Sequence, residues 1–137
     1  MTEQVHTRWA TLSWLCPNTI EIRFTSGILL DMAAIAEVIT ARKRMQGDTP
    51  VGLLLIIPQE TELDLAIIGM DHLRIHQATD KVLAFAVVAR SAVSEVLLRL
   101  YKAYYPTLFR AEVFTDEAEA GAWLREQTAH SLEVLRG

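Results

Sequence analysis

The stretch Val51-Gly-Leu-Leu-Leu-Ile-Ile57 contains no polar side chain, and neither does Val82-Leu-Ala-Phe-Ala-Val-Val-Ala89 further along the chain. Strands with one solvated face alternate apolar and polar residues, whereas strands covered on both faces are continuously apolar. Both stretches are far shorter than the roughly 20 residues that a membrane-spanning helix needs. They therefore predict two neighbouring strands inside one sheet, with helices covering both of its faces.

The segments before Val51 predict a hairpin and a helix. Residues 9–15 and 20–24 alternate apolar with small or polar side chains, and Pro17 and Asn18 between them are turn residues. Asp31 is a suitable N-cap for the helix that follows. The apolar stripe of this helix is Met32, Ile35, Val38, Ile39 and Met45. Its last turn carries Arg42-Lys-Arg44, which we interpret as solvated charges favoured by the helix dipole, with a phosphate-binding patch as the alternative.

The second half of the chain continues the alternation of strands and helices. We expect a helix from about residue 60 to residue 78, although Gly69 weakens it. Arg90-Ser91 opens a third helix, and a short strand over 109–114 follows. Asp116 and Glu119 form the capping box of the final helix. The stripe of the third helix is Val93, Val96, Leu97, Leu100 and Tyr104.

This order, β-β-α-β-α-β-α-β-α, predicts an α/β fold. Strands alternating with helices are parallel and joined by right-handed crossovers. The sheet is then mixed but mostly parallel, with helices on both faces and the antiparallel hairpin at an edge. We expect one domain over residues 1–137, since a chain of 137 residues has the usual size for a single core.

Composition narrows the possible partners and the compartment. The net charge is −4, and basic residues do not cluster beyond 42–44, so we expect no nucleic-acid partner. The N-terminus lacks the basic and apolar segments of a secretory signal. The single cysteine, Cys16, cannot form an internal disulfide, which agrees with a reducing compartment. We expect a cytoplasmic protein without a membrane span.

The sequence contains no recognised catalytic or cofactor motif. No serine lies in a nucleophile elbow, and no glycine-rich phosphate loop is present. His72 and His76 have the i, i+4 spacing of metal ligands on a helix, but without a third ligand we interpret them as a solvated face. We predict no catalytic residues, no cofactor and no metal.

The element order, together with the ending Phe114-Thr-Asp-Glu-Ala-Glu-Ala-Gly-Ala-Trp-Leu124, resembles the STAS domain of bacterial anti-sigma factor antagonists and sulfate-transporter tails. It is also similar to bacterial STAS/SEC14-like domains of about this length. The resemblance covers residues 9–127. It implies a STAS-like fold and a non-enzymatic regulatory or binding domain, acting on a protein partner or a small apolar ligand.

The resemblance does not extend to the family's phosphorylation turn. That turn reads Asp-Ser-Ser-Gly in the family, whereas the matching stretch here is Pro58-Gln-Glu-Thr-Glu62, in which Thr61 is the only hydroxyl. Glu60 and Glu62 would repel an added phosphate, which disfavours a phosphorylation switch.

The carboxyl ends of the parallel strands are the usual place for a ligand in such sheets. Glu60, Thr61, Arg90 and Ser91 lie there and are our candidate binding residues. Arg90 and Ser91 at a helix N-terminus suit an anion, although Ser91 also suits a simple capping role. The alternative function is a small hydrolase or transferase that uses the acidic turn from Glu60 to Asp64 with Arg90, although clustered acids are usually caps.

Aromatic side chains gather near the end of the third helix. Tyr101, Tyr104 and Tyr105 either pack in the core or form an exposed patch for self-association, because tyrosine is enriched at interfaces. Strand 9–15, taken as a sheet edge, offers a second route to pairing between copies. We therefore expect a homodimer.

Overall fold

The computed structural model describes residues 4–107 and 109–136. The strands are β1 (Gln4–His6), β2 (Ala10–Cys16), β3 (Thr19–Phe24), β4 (Leu29–Leu30), β5 (Val51–Ile57), β6 (Glu62–Leu63), β7 (Val82–Ala89) and β8 (Arg110–Phe114). The helices are α1 (Met32–Gln46), a 3₁₀ helix (Leu65–Gly69), α2 (His72–Ile75), α3 (Ala92–Tyr104) and α4 (Glu117–Arg136). No helix in these two ranges has the length and apolar character to span a bilayer.

The main sheet has six strands in the spatial order β1-β2-β3-β5-β7-β8. Strands β3, β5, β7 and β8 are parallel, whereas β1 and β2 are antiparallel to their neighbours. The two all-apolar strands β5 and β7 lie side by side inside the sheet, with Leu53 beside Phe85 and Leu55 beside Val87. The predicted α/β fold with a mixed, mostly parallel sheet is confirmed.

Helix α4 covers one face of this sheet. The buried residues that meet there are Leu54, Ile56, Ala84, Ala86, Val88, Ala120 and Leu124. Several of these side chains are small, so the helix lies close to the strands. A Cβ added at Gly52 would clash with Thr128 Oγ1. This face is therefore closely packed, and we call it the α4 face.

The opposite face is covered by α1, the 3₁₀ helix and α3. Its buried and half-buried residues include Ile22, Phe24, Val38, Leu53, Leu55, Ile67, Phe85, Val87 and Leu98. Several elements share the cover here, instead of one long helix. We call this the cavity face, because the candidate site lies between these elements and the sheet.

The helix predicted over residues 60–78 is wrong, because this segment is broken. Strand β6, the 3₁₀ helix and α2 replace it, with Met70 between the two helices. Asp64 accepts a hydrogen bond from the amide of Ala66, and Asp71 accepts one from the amide of Arg74. Each aspartate side chain accepts from an amide that a continuous helix would use for a backbone hydrogen bond. Each aspartate therefore begins a short helix of its own. Gly69, which lies between Asp64 and Asp71, further disfavours a continuous helix.

Helix α3 forms where it was expected, but its apolar stripe faces solvent. Val93 is 69% exposed, Val96 64% and Tyr104 66%, whereas Ser94 is buried. Two contacts hold the helix in this rotation. Arg99 donates to the carbonyl of Val113 at 3.2 Å, and the ammonium of Lys102 lies 2.8 Å from a carboxylate oxygen of Glu112.

The hairpin of β2 and β3 is confirmed, but β2 is not an edge strand. Strand β1 pairs with its outer side, with Val5 opposite Leu12. The expectation that strand 9–15 is a free sheet edge for a second copy is therefore wrong, because β1 already pairs with residues Thr11 to Ser13 on that side. The three residues of β1 are too few for their alternation to be recognised in the sequence.

Candidate ligand-binding cavity

A cavity of about 170 Å³ lies on the cavity face of the sheet. The sheet contributes side chains such as Leu53, Leu55, Phe85 and Val87, and α1, the 3₁₀ helix, α2 and α3 contribute further lining side chains. The Phe85 ring stacks on the Phe109 ring of the segment before β8, with centroids 6.3 Å apart. The walls are therefore mainly apolar, as is usual for small-molecule sites.

The rotation of α3 and the break before α2 explain why space remains. Val93, Val96 and Leu100 of α3 are exposed, so their volume is not available to fill the space over the sheet. Only Leu98, Tyr101 and Lys102 of this helix line the cavity, together with Tyr105 directly after it. Short elements with ends and turns also cover a sheet less completely than one continuous helix.

Arg42 is the buried cation of the cavity wall. It is only 3% exposed, and its guanidinium donates to Gln46 Oε1 at 2.5 Å and to the carbonyl of Ala78 at 2.6 Å. Burial lowers the pKa of Arg42 to about 10, so the side chain is still charged at neutral pH. The prediction that residues 42–44 are solvated is correct for Lys43 and Arg44, which are exposed, but wrong for Arg42, which is buried.

His72 is a second buried polar group in the wall. Its Nε2 lies 2.9 Å from the carbonyl oxygen of Ile67, which can only accept, so Nε2 carries the proton. Its Nδ1 is buried and has no hydrogen-bond partner among the described residues. The solvated face expected for His72 and His76 is therefore wrong for His72. Within the described parts of the chain, no three His, Cys, Asp or Glu side chains are grouped to hold a metal ion.

The tyrosines predicted as a core or interface cluster divide between two roles. Tyr101 and Tyr105 are half-buried and line the cavity, with ring centroids 5.0 Å apart. The hydroxyl of Tyr101 accepts a hydrogen bond of 2.7 Å from the backbone amide of His72. Burial raises the pKa of Tyr101 to about 12, so this phenol stays neutral under physiological conditions. Tyr104 points to solvent.

The candidate residues at the strand ends lie outside the cavity wall. The carboxylate of exposed Glu60 accepts a hydrogen bond from the hydroxyl of Ser26, and buried Thr61 donates to the carbonyl of Thr25. Arg90 donates to the carbonyl of Thr115 at 3.0 Å. Ser91 caps α3 by accepting from the amide of Ser94. Their local structural roles are thus clear, and a binding role for them stays a prediction.

The sequence carried a signal for Arg42 that our interpretation missed. Arg42 lies four residues after Val38, on the buried side of α1, so a charge stands within the apolar stripe. A lone charged residue at such a position indicates a buried polar site. No comparable signal exists for His72, because its burial follows from the break in the predicted helix.

The fold has a counterpart among solved structures. The similar chain is an uncharacterized protein from the DUF3478 family with a SpoIIAA-like fold, from Shewanella loihica PV-4. The two chains share 14% identity, with a TM-score of 0.55 over 90% of this chain and 92% of that chain. This likeness concerns the fold alone, and it confirms the STAS-like architecture.

The family model described as "Domain of unknown function (DUF7793)" matches residues 13–128. None of the curated proteins matches the chain.

Proposed function

We propose that this chain, which belongs to the DUF7793 family, is a non-enzymatic binding domain that holds a small apolar molecule in its cavity. The cavity of about 170 Å³ with mainly apolar walls is the observation that carries this proposal. An engineered apolar cavity of roughly 150 Å³ in another protein binds benzene. A ligand with about six carbon atoms is therefore of suitable size.

Filling the cavity is favourable for a physical reason. Side chains around an empty space lack dispersion contacts on one side, and a ligand of matching shape supplies them. A ligand that binds only the folded chain also stabilises it by mass action. Occupancy would thereby stabilise α3 and the 3₁₀ helix above the sheet, which gives the domain a means of signalling its bound state to a partner.

Thermal unfolding with benzene and hexan-1-ol as probes tests the proposal. We expect both probes to raise the Tm of the unmodified chain. Ala111→Leu adds volume at the cavity wall and should abolish the shift. Ala118→Leu makes the same change on the exposed side of α4, and this variant should still show the rise in Tm. Unchanged Tm values for the unmodified chain with both probes would contradict a preformed apolar site.

A second proposal is self-association through α3. Its outward stripe, which includes Val93, Val96, Leu100 and Tyr104, forms the exposed apolar surface that supports a homodimer. Large exposed apolar patches are uncommon on monomers and typically mark contact surfaces. The stripe is separate from the cavity wall, so one chain can use both.

Sedimentation velocity of charge variants tests this second proposal. Val96→Glu places a charge on the stripe and should convert the homodimer to a monomer. Val134→Glu is the matched control, because Val134 on α4 is 66% exposed and Val96 is 64% exposed. If the unmodified chain sediments as a monomer at high concentration, or if both variants behave alike, the α3 stripe is not a homodimer interface.

A further inference from the structure

The cavity wall contains a buried cation without a counter-charge. Arg42 is almost fully buried and lines the cavity. Among residues 4–107 and 109–136, no carboxylate lies within ion-pair distance of its guanidinium. The described acceptors are the neutral oxygens of Gln46 and Ala78, which engage two of the five N–H donors of the group.

A buried charge of this kind is costly unless it is paired. Gln46 and Ala78 reduce the cost, but neutral acceptors do not neutralise the positive charge. The other cation in the wall, Lys102, already pairs with Glu112 at 2.8 Å. His72 donates through Nε2 to the carbonyl oxygen of Ile67. Among the described residues, Arg42 is therefore a cation without a carboxylate partner, in a wall that is mainly apolar.

We infer that the ligand of this cavity is a small monocarboxylate, whose carboxylate pairs with Arg42 and whose hydrocarbon part contacts the sheet side chains Leu55, Phe85 and Val87. This inference rests on the proposed function and names the class of ligand. A planar guanidinium matches a carboxylate in a bidentate pair. A phosphate with nearly two negative charges would leave excess charge buried beside a single cation.

Three probes of equal chain length separate the head group from the hydrocarbon part: hexanoate, hexan-1-ol and hexylamine. We expect hexanoate to bind the unmodified chain about tenfold more tightly than hexan-1-ol, because hydrogen bonds to a charged group are stronger than neutral ones. Hexylamine should bind most weakly, since its ammonium would lie near Arg42. Isothermal titration calorimetry at neutral pH measures all three affinities.

Two variants assign the preference to one side chain. Arg42→Met keeps an unbranched side chain at the buried position and should remove the preference for hexanoate, while hexan-1-ol still binds. Lys43→Met removes one charge from the neighbouring exposed position and should leave the preference intact. If Arg42→Met does not fold, the affinity ratio of hexanoate to hexan-1-ol in the unmodified chain still decides the inference.

A carbon-13 label in the hexanoate carboxyl provides a direct readout. An NMR titration of the bound label should show its pKa lowered by about one unit or more relative to free hexanoate, since a guanidinium favours the charged form. Binding of hexan-1-ol with equal or weaker binding of hexanoate overturns the monocarboxylate but leaves the apolar site in place. Failure of both probes to bind overturns the apolar site as well.

Discussion

The two faces of the sheet have the same apolar character but are packed differently. On the α4 face, Gly52 and the small residues of β7 let a single 20-residue helix lie directly on the strands. On the cavity face, larger side chains such as Leu55 and Phe85 stand beneath α1, α3 and a broken segment. One face is therefore closely packed, and the other keeps a cavity.

This contrast shows that apolar composition alone does not decide whether a core is filled. Leu54 and Leu55 are neighbours in β5, yet Leu54 packs in the α4 cluster and Leu55 lines the cavity. What differs is the element placed above each face. Close packing needs side chains on both sides of the contact, and α3 turns much of its apolar surface away from the sheet.

The largest difference between the two faces is expected when these two leucines are each replaced by alanine. Leu54→Ala should lower the free energy of unfolding by about 4 kcal/mol, near the upper end for buried leucines. Leu55→Ala should cost only about 2 kcal/mol, because its side chain already lacks partners on the cavity side. Urea denaturation of both variants measures the difference. Equal costs would show that the two faces are packed alike.

A smaller effect is expected where α4 approaches β5 most closely. Gly52→Ala should destabilise the fold by about 2 kcal/mol, because the new methyl group meets Thr128 Oγ1. Thr128→Ala removes a buried hydroxyl that has no partner among the described residues, and it should restore part of the loss in the double variant. Gly69→Ala is the control, since nothing lies within 4 Å of its added Cβ. A double variant no more stable than Gly52→Ala would contradict this contact.

The smallest effect concerns the ion pair between β3 and the start of α4. Arg23 lies 2.9 Å from Glu117, and its hydrogen bond holds the pKa of Glu117 below the usual range. Both side chains are about half exposed, so Glu117→Gln should cost only about 0.5 kcal/mol at neutral pH. A lowered carboxyl pKa stabilises the fold above the unfolded-state pKa, and this contribution is lost as the pH falls through the folded-state value.

A pH series of urea denaturation measures this linkage. The free energies of unfolding of the unmodified chain and of Glu117→Gln should differ at neutral pH and become equal in acid. Glu119→Gln, an exposed glutamate in the same first turn of α4, is the control for the helix dipole. If the difference in the free energy of unfolding between the two proteins does not become smaller in acid, the ion pair is not its cause.

Part of the candidate site was within reach of sequence analysis. The sheet strands that form the floor of the cavity were predicted, and Arg42 stood in the apolar stripe of α1. His72 was out of reach, because its burial depends on the break between the 3₁₀ helix and α2. The rotation of α3 was hidden for a similar reason. A hydrophobic stripe indicates which side of a helix is apolar, but contacts such as Arg99 with Val113 decide which side faces the sheet.

The sequence by itself determined the α/β class and the interior position of β5 and β7, because both follow from local periodicity. It also determined the caps Asp31, Ser91 and Asp116, because their side chains lie close to the backbone groups they bind. Only the tertiary structure decided that one face is closely packed while the other keeps a cavity with a buried cation. Such features depend on the distance and rotation of elements far apart in the chain, and no local pattern encodes those.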